Sequence, residues 1–85
     1  MTWRVELKRS ARKALVALQP ATRSRLAERI DALAEDPRPP GARKLAGSDI
    51  LYRVRVGDYR IVYEIHDNHL VIIVIRIGHR RQIYR

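Results

Sequence analysis

Leu51-Tyr-Arg-Val-Arg-Val-Gly-Asp-Tyr-Arg-Ile-Val-Tyr-Glu-Ile65 alternates apolar and polar residues on both sides of Gly57-Asp58. Period two is the signature of a strand with one buried face. Gly57-Asp58 is a two-residue turn signal, so Leu51 to Val56 and Tyr59 to Ile65 read as a hairpin. Such a turn fixes the register: Val56 lies opposite Tyr59, and Arg55 opposite Arg60. Tyr52, Val54, Val56, Ile61, Tyr63 and Ile65 then share one face, which faces a core. Arg53, Arg55 and Arg60 share the other, with Glu64 diagonal to Arg53.

Working outward, Asp67-Asn68 is a second tight turn. Leu70 to Ile77 is apolar on both sides, which places it centrally in a sheet. On the other flank, 36–48 holds three prolines and two glycines and reads as a loop. Before it, Leu26, Ala27, Ile30, Leu33 and Ala34 form a helical stripe. Pro20 suits the first turn of that helix and Pro37 stops it. Ala11, Ala14, Leu15 and Leu18 form the face of a preceding helix, with Ser10 as its expected cap. Thr2 to Lys8 alternates as a first strand. The order is β-α-α-β-β-β. The crossover through two helices most simply returns beside the last strand. The expectation is a single α+β domain over 1–85, an antiparallel-rich four-stranded sheet with a helical hairpin on one face.

The chain has 85 residues, 46% of them apolar, and no cysteine, so packing alone must hold it together. Eighteen Lys and Arg against nine Asp and Glu give a net charge of +9. A field of that sign suits a polyanion: nucleic acid, an anionic membrane or an acidic protein. The start of the chain is not an apolar leader, and no apolar run is long enough to span a bilayer. A cytoplasmic protein is expected, without a membrane partner.

The arginines narrow the choice. Like charges directly opposite in a sheet are unfavourable, so a structural role explains Arg55 and Arg60 poorly. Guanidinium groups on one face suit a phosphodiester, which each can grip through two parallel hydrogen bonds. Arg76, His79, Arg80, Arg81 and Arg85 follow, with no acid after Asp67. Gly78 permits a bend that returns Arg80 beside Arg60. Two readings of Tyr84 stay open: a packing residue, or a ring on which an unstacked base rests.

Tyr52-Arg53-Val54-Arg55-Val56-Gly57-Asp58-Tyr59-Arg60-Ile61-Val62-Tyr63 resembles the signature hairpin of the RelE/ParE toxin superfamily. Gly78-His79-Arg80-Arg81-Gln82-Ile83-Tyr84 resembles the ending of its RelE branch, and Lys44-Leu45-Ala46-Gly47 the lead-in to the hairpin. The resemblance implies the toxin of a type II toxin–antitoxin pair, a metal-independent endoribonuclease that cuts ribosome-bound messenger RNA. In that reaction the 2′-hydroxyl attacks the adjacent phosphate, with no cofactor. Carried over by position, Arg53, Arg55, Arg60, Arg80 and Tyr84 are the catalytic residues, and His79, Arg81 and Arg85 bind RNA. Arg60 would stabilise the phosphate as charge builds on it, Arg80 would serve the leaving oxygen, and Tyr84 would stack on a base. Well-known members carry lysine where this chain has Arg53 and Arg55. Arginine does not give up its proton, so the general base is not identified by position. His79 is the nearby residue type that titrates near neutrality.

The resemblance also admits a ParE-like inhibitor of DNA gyrase, which would not cut RNA. A nucleic-acid-binding module without catalysis is a third reading. The expected partners are the ribosome with its message and a RelB-like antitoxin with an acidic toxin-binding segment. That segment would fold onto the open sheet face, where arginines mix with Val62, Ile73 and Ile75.

Overall fold

The computed structural model describes residues 2–79. Strand β1 (Arg4–Leu7) leads into helices α1 (Arg9–Val16) and α2 (Pro20–Ala32), followed by strands β2 (Arg43–Lys44), β3 (Leu51–Val56), β4 (Tyr59–His66) and β5 (Val71–His79). They form one sheet in the order β1-β5-β4-β3-β2. β1 runs parallel to β5, and the other neighbours are antiparallel. The α+β class, the return of the crossover beside the last strand and the central position of β5 are all as the sequence predicts.

The sheet has five strands, not four. β2 lies within the stretch read as loop and pairs Arg43 with Arg53 and Lys44 with Tyr52. Two residues show no periodicity, so this strand is set by its partner and not by its own pattern.

The hairpin register is as derived, Val56 opposite Tyr59 and Arg55 opposite Arg60. Val54, Val56, Ile61, Tyr63 and Ile65 are buried with Ala11, Leu26, Ile30 and Leu33 from the helices. Truncating a side chain as enclosed as Ile72 or Leu26 costs about 2–5 kcal/mol, because a cavity adds to the lost transfer energy.

The local readings shift in three places. Ser10 does not cap α1: Lys8 holds that position, with no side-chain cap bond. The Lys8 N–H donates to Val74 O while its carbonyl accepts from Arg12 N, so strand passes into helix with Lys8 alone between them. The second turn runs on to Leu70, whose φ of 53° is left-handed, and β5 begins at Val71. The third shift is a bulge. Val62 pairs with Arg76 but Tyr63 with Val74, leaving Ile75 as the extra residue in β5. The bulge reverses the alternation. Ile73 stays on the face away from the helices, whereas Ile77 turns into the core opposite Ile61.

Among the described residues no helix is long and apolar enough to cross a membrane.

Candidate nucleic-acid interface

The register builds two rows of cations on the sheet face away from the helices. In one, Arg43 of β2 lies opposite Arg53 of β3, which lies opposite Val62 and then Arg76. In the next, Arg55 lies opposite Arg60, which lies opposite Gly78. Two directly opposed arginine pairs in one small sheet cost stability that packing does not require.

The rows border a cavity of about 270 Å³ at the edge of β3, where β2 ends. Arg29, Arg43, Arg53, Arg55 and Arg60 line it, with Pro40, Gly41 and Val54 completing the wall. Among the described residues no acidic side chain lines it. Arg29 reaches it from the last turn of α2. The sequence reading did not single out Arg29, and it left Arg43 within the 36–48 loop.

Arg60 does not lie on an open surface. It is 5% exposed, and Val62 on the same face is 6% exposed, so both depart from the open-face expectation. β4 has a strand on each side, and Gly78, opposite Arg60, adds no side chain beside it. Arg55, near the sheet edge, is exposed, and Arg53 is intermediate. Ile73 and Ile75 are partly exposed.

His79 is placed differently from the arginines. It pairs with Tyr59, and its ring meets the Tyr59 ring edge-on at 5.7 Å between centroids. That is the opposite face from Arg60 and Gly78, which are one residue along each strand. Arg80, Arg81, Tyr84 and Arg85 lie outside the described residues.

The wall at Pro40 and Gly41 is held from below. Ala42 N–H donates to Pro39 O at 3.0 Å, and Gly41 has φ 93°. This is a turn with proline second and a left-handed third residue, a conformation that favours glycine. Just before it, Arg38 forms a bidentate pair with Asp67 at 3.0 and 3.3 Å, donates to Tyr52 Oη at 3.1 Å and lies over the Tyr52 ring. The Asp67 hydrogen bond, then that of Tyr52, hold the Arg38 guanidinium above its ordinary pKa. The Tyr63 hydroxyl donates to the Pro37 carbonyl at 2.8 Å.

Burial pushes the Tyr63 phenol up to about 12. The folded chain then holds a proton that the unfolded chain releases near pH 10, so this contribution is full below pH 10 and is lost as pH rises toward 12. Tyr63→Phe is expected to lower stability at neutral pH by about 1–3 kcal/mol, because Pro37 is buried and its carbonyl loses its donor. Thermal melts of both proteins from pH 8 to 12 check this, since the gap between them should close as the pH rises. A constant gap would show that the proton is not held by Tyr63.

Residues 5–84 match the family model described as ParE toxin of type II toxin-antitoxin system, parDE. Over its whole length the chain is 32% identical to the putative toxin RelE1 of Methanocaldococcus jannaschii, covering 98% of that protein. The fold superposes with a TM-score of 0.84 on a chain of the archaeal RelE–RelB complex from Pyrococcus horikoshii, at 35% identity, over 94% of this chain and 97% of that one. A chain of the intact Escherichia coli RelBE toxin-antitoxin complex gives a TM-score of 0.79 at 26% identity, over 91% and 95%. Hairpin, sheet order and arginine rows thus sit in a chain similar along its length to RelE toxins, and it belongs to the RelE/ParE family of type II toxin–antitoxin systems as a RelE-type toxin.

Proposed function

We propose that this toxin cuts messenger RNA on the ribosome. The 2′-hydroxyl oxygen forms a bond to the adjacent phosphorus and the bond to the 5′-oxygen breaks. The products are a 2′,3′-cyclic phosphate and a free 5′-hydroxyl. The supporting observation is the arginine-lined cavity, which brings opposed cations together and has no acidic side chain among its described lining residues. Arg53, Arg55 and Arg60 hold the phosphate and stabilise its charge in the transition state. Arg60 is already seated and desolvated, so little reorganisation accompanies the reaction. Arg80 at the leaving oxygen, Tyr84 under a base, and His79, Arg81 and Arg85 along the strand complete the reading by resemblance. The protein is held inactive by an acidic antitoxin of the RelB kind, as the RelE–RelB complexes of its relatives suggest. It works in the cytoplasm.

Primer extension on ribosome-bound message tests the reading. New 3′ ends paired with 5′-hydroxyl fragments are expected, and they should survive a chelator when the magnesium that holds the ribosome is restored. Arg55→Lys tests the chemistry, since lysine can lose a proton where arginine does not. A faster reaction, or a new limb in its pH profile, is expected. Intact message together with blocked gyrase supercoiling would replace this reading with the ParE one.

A further inference from the structure

The cavity holds more cations than one phosphodiester can use. A phosphodiester carries one charge and two non-bridging oxygens, and each guanidinium can supply two parallel hydrogen bonds. Two or three arginines saturate it. Arg53, Arg55 and Arg60 are therefore enough for the reacting phosphate. Arg29 and Arg43 remain, arriving from α2 and β2 and facing the same space.

Each sits beside another cation. Arg43 lies directly opposite Arg53. Arg29 sits one helical turn after Arg25, a like-charge spacing that weakens a helix. Other cations of the region are neutralised, Arg38 by Asp67 and the neighbouring Lys44 by Asp49. Among the described residues neither Arg29 nor Arg43 has an ion pair. The turn at Pro39–Ala42, anchored through Arg38 and Tyr63, fixes the point from which Arg43 enters the cavity.

We propose that Arg29 and Arg43 bind a second phosphate of the same RNA strand, flanking the one held by Arg53, Arg55 and Arg60. This rests on the reading of the cavity as an RNA site. The pair sets how the strand is threaded past the reacting phosphate, so its effect falls on strands with a flanking nucleotide and not on a single linkage.

Direct titration tests this without the ribosome and without cleavage. The probe is an RNA hexanucleotide with every 2′-oxygen methylated, beside a similarly methylated dinucleotide that has one phosphodiester. The R29Q/R43Q variant is compared with wild type and with R12Q/K13Q, which removes equal charge from exposed positions on α1. All three should fold alike by circular dichroism, since the four positions are exposed. For R29Q/R43Q, hexanucleotide affinity should fall about tenfold or more, and the slope of log K against log salt should shrink by about 0.7, the value for one phosphate of a single strand no longer neutralised. Dinucleotide affinity should move no more than in the control. Equal losses in R29Q/R43Q and R12Q/K13Q, or equal losses for both probes, would overturn the subsite. So would wild type that fails to bind the hexanucleotide saturably. Because no cutting is read, these outcomes are separate from primer extension, which alone decides the nuclease reading.

Discussion

Arg60→Ala is expected to lower message cleavage on the ribosome by about a hundredfold or more, the usual cost of losing one preorganised donor to a developing oxyanion. Stability should also fall. Arg60 is 5% exposed on a central strand, so truncation leaves a hollow beside Gly78, while relief from Arg55 gives some of it back. A net loss of about 1–3 kcal/mol is expected in denaturant melts. Arg60→Met separates the two effects. Its unbranched chain fills the hollow without charge, so melting should stay near wild type while cleavage remains lost. A well-folded Arg60→Met protein that cuts at the wild-type rate would remove Arg60 from the active site.

Raising salt is expected to weaken RNA association steeply. Five arginines line the cavity, and each phosphate they neutralise releases condensed counterions. For about four to six phosphates of a single strand, two in the cavity and the others along the rest of the basic surface, going from about 50 to about 200 mM salt should reduce the association constant roughly fifty- to three-hundredfold. Fluorescence anisotropy with a labelled, uncleavable RNA measures it. A flat response would place the binding elsewhere than on this basic face.

How much of this was legible in the sequence depended on how local the deciding interaction is. Gly57-Asp58 sits inside its own hairpin, so the pairing of Arg55 with Arg60 could be derived. The place of β1 beside β5 followed from the connectivity of a crossover. The burial of Arg60 could not be read, and neither could its pairing with Gly78 across β4 and β5. That pairing lies beyond a bulge at Ile75 that no residue pattern announces. β2 was hidden for the same reason: two residues become a strand only when Arg53 and Tyr52 are already in place. The site was legible in its hairpin half. Arg43 was invisible without β2, and Arg29 looked like any solvated helix residue until the edge of β3 was seen to end beside it.

The pairing of Arg4–Leu7 with Val71–Val74 also has a consequence for time. These segments lie at opposite ends of the described chain, and β5 is the strand that both β1 and β4 need as a neighbour. Closing so long a loop is entropically costly, and contacts of this separation slow folding. During synthesis the first strand waits for its partner until Val71–Val74 have been made, while the helical hairpin can form early. Gly78, which lies opposite Arg60, is made later still. A newly made toxin therefore completes the sheet around its arginine rows only after β5 is available, which gives an antitoxin already present an interval in which to meet an unfinished sheet.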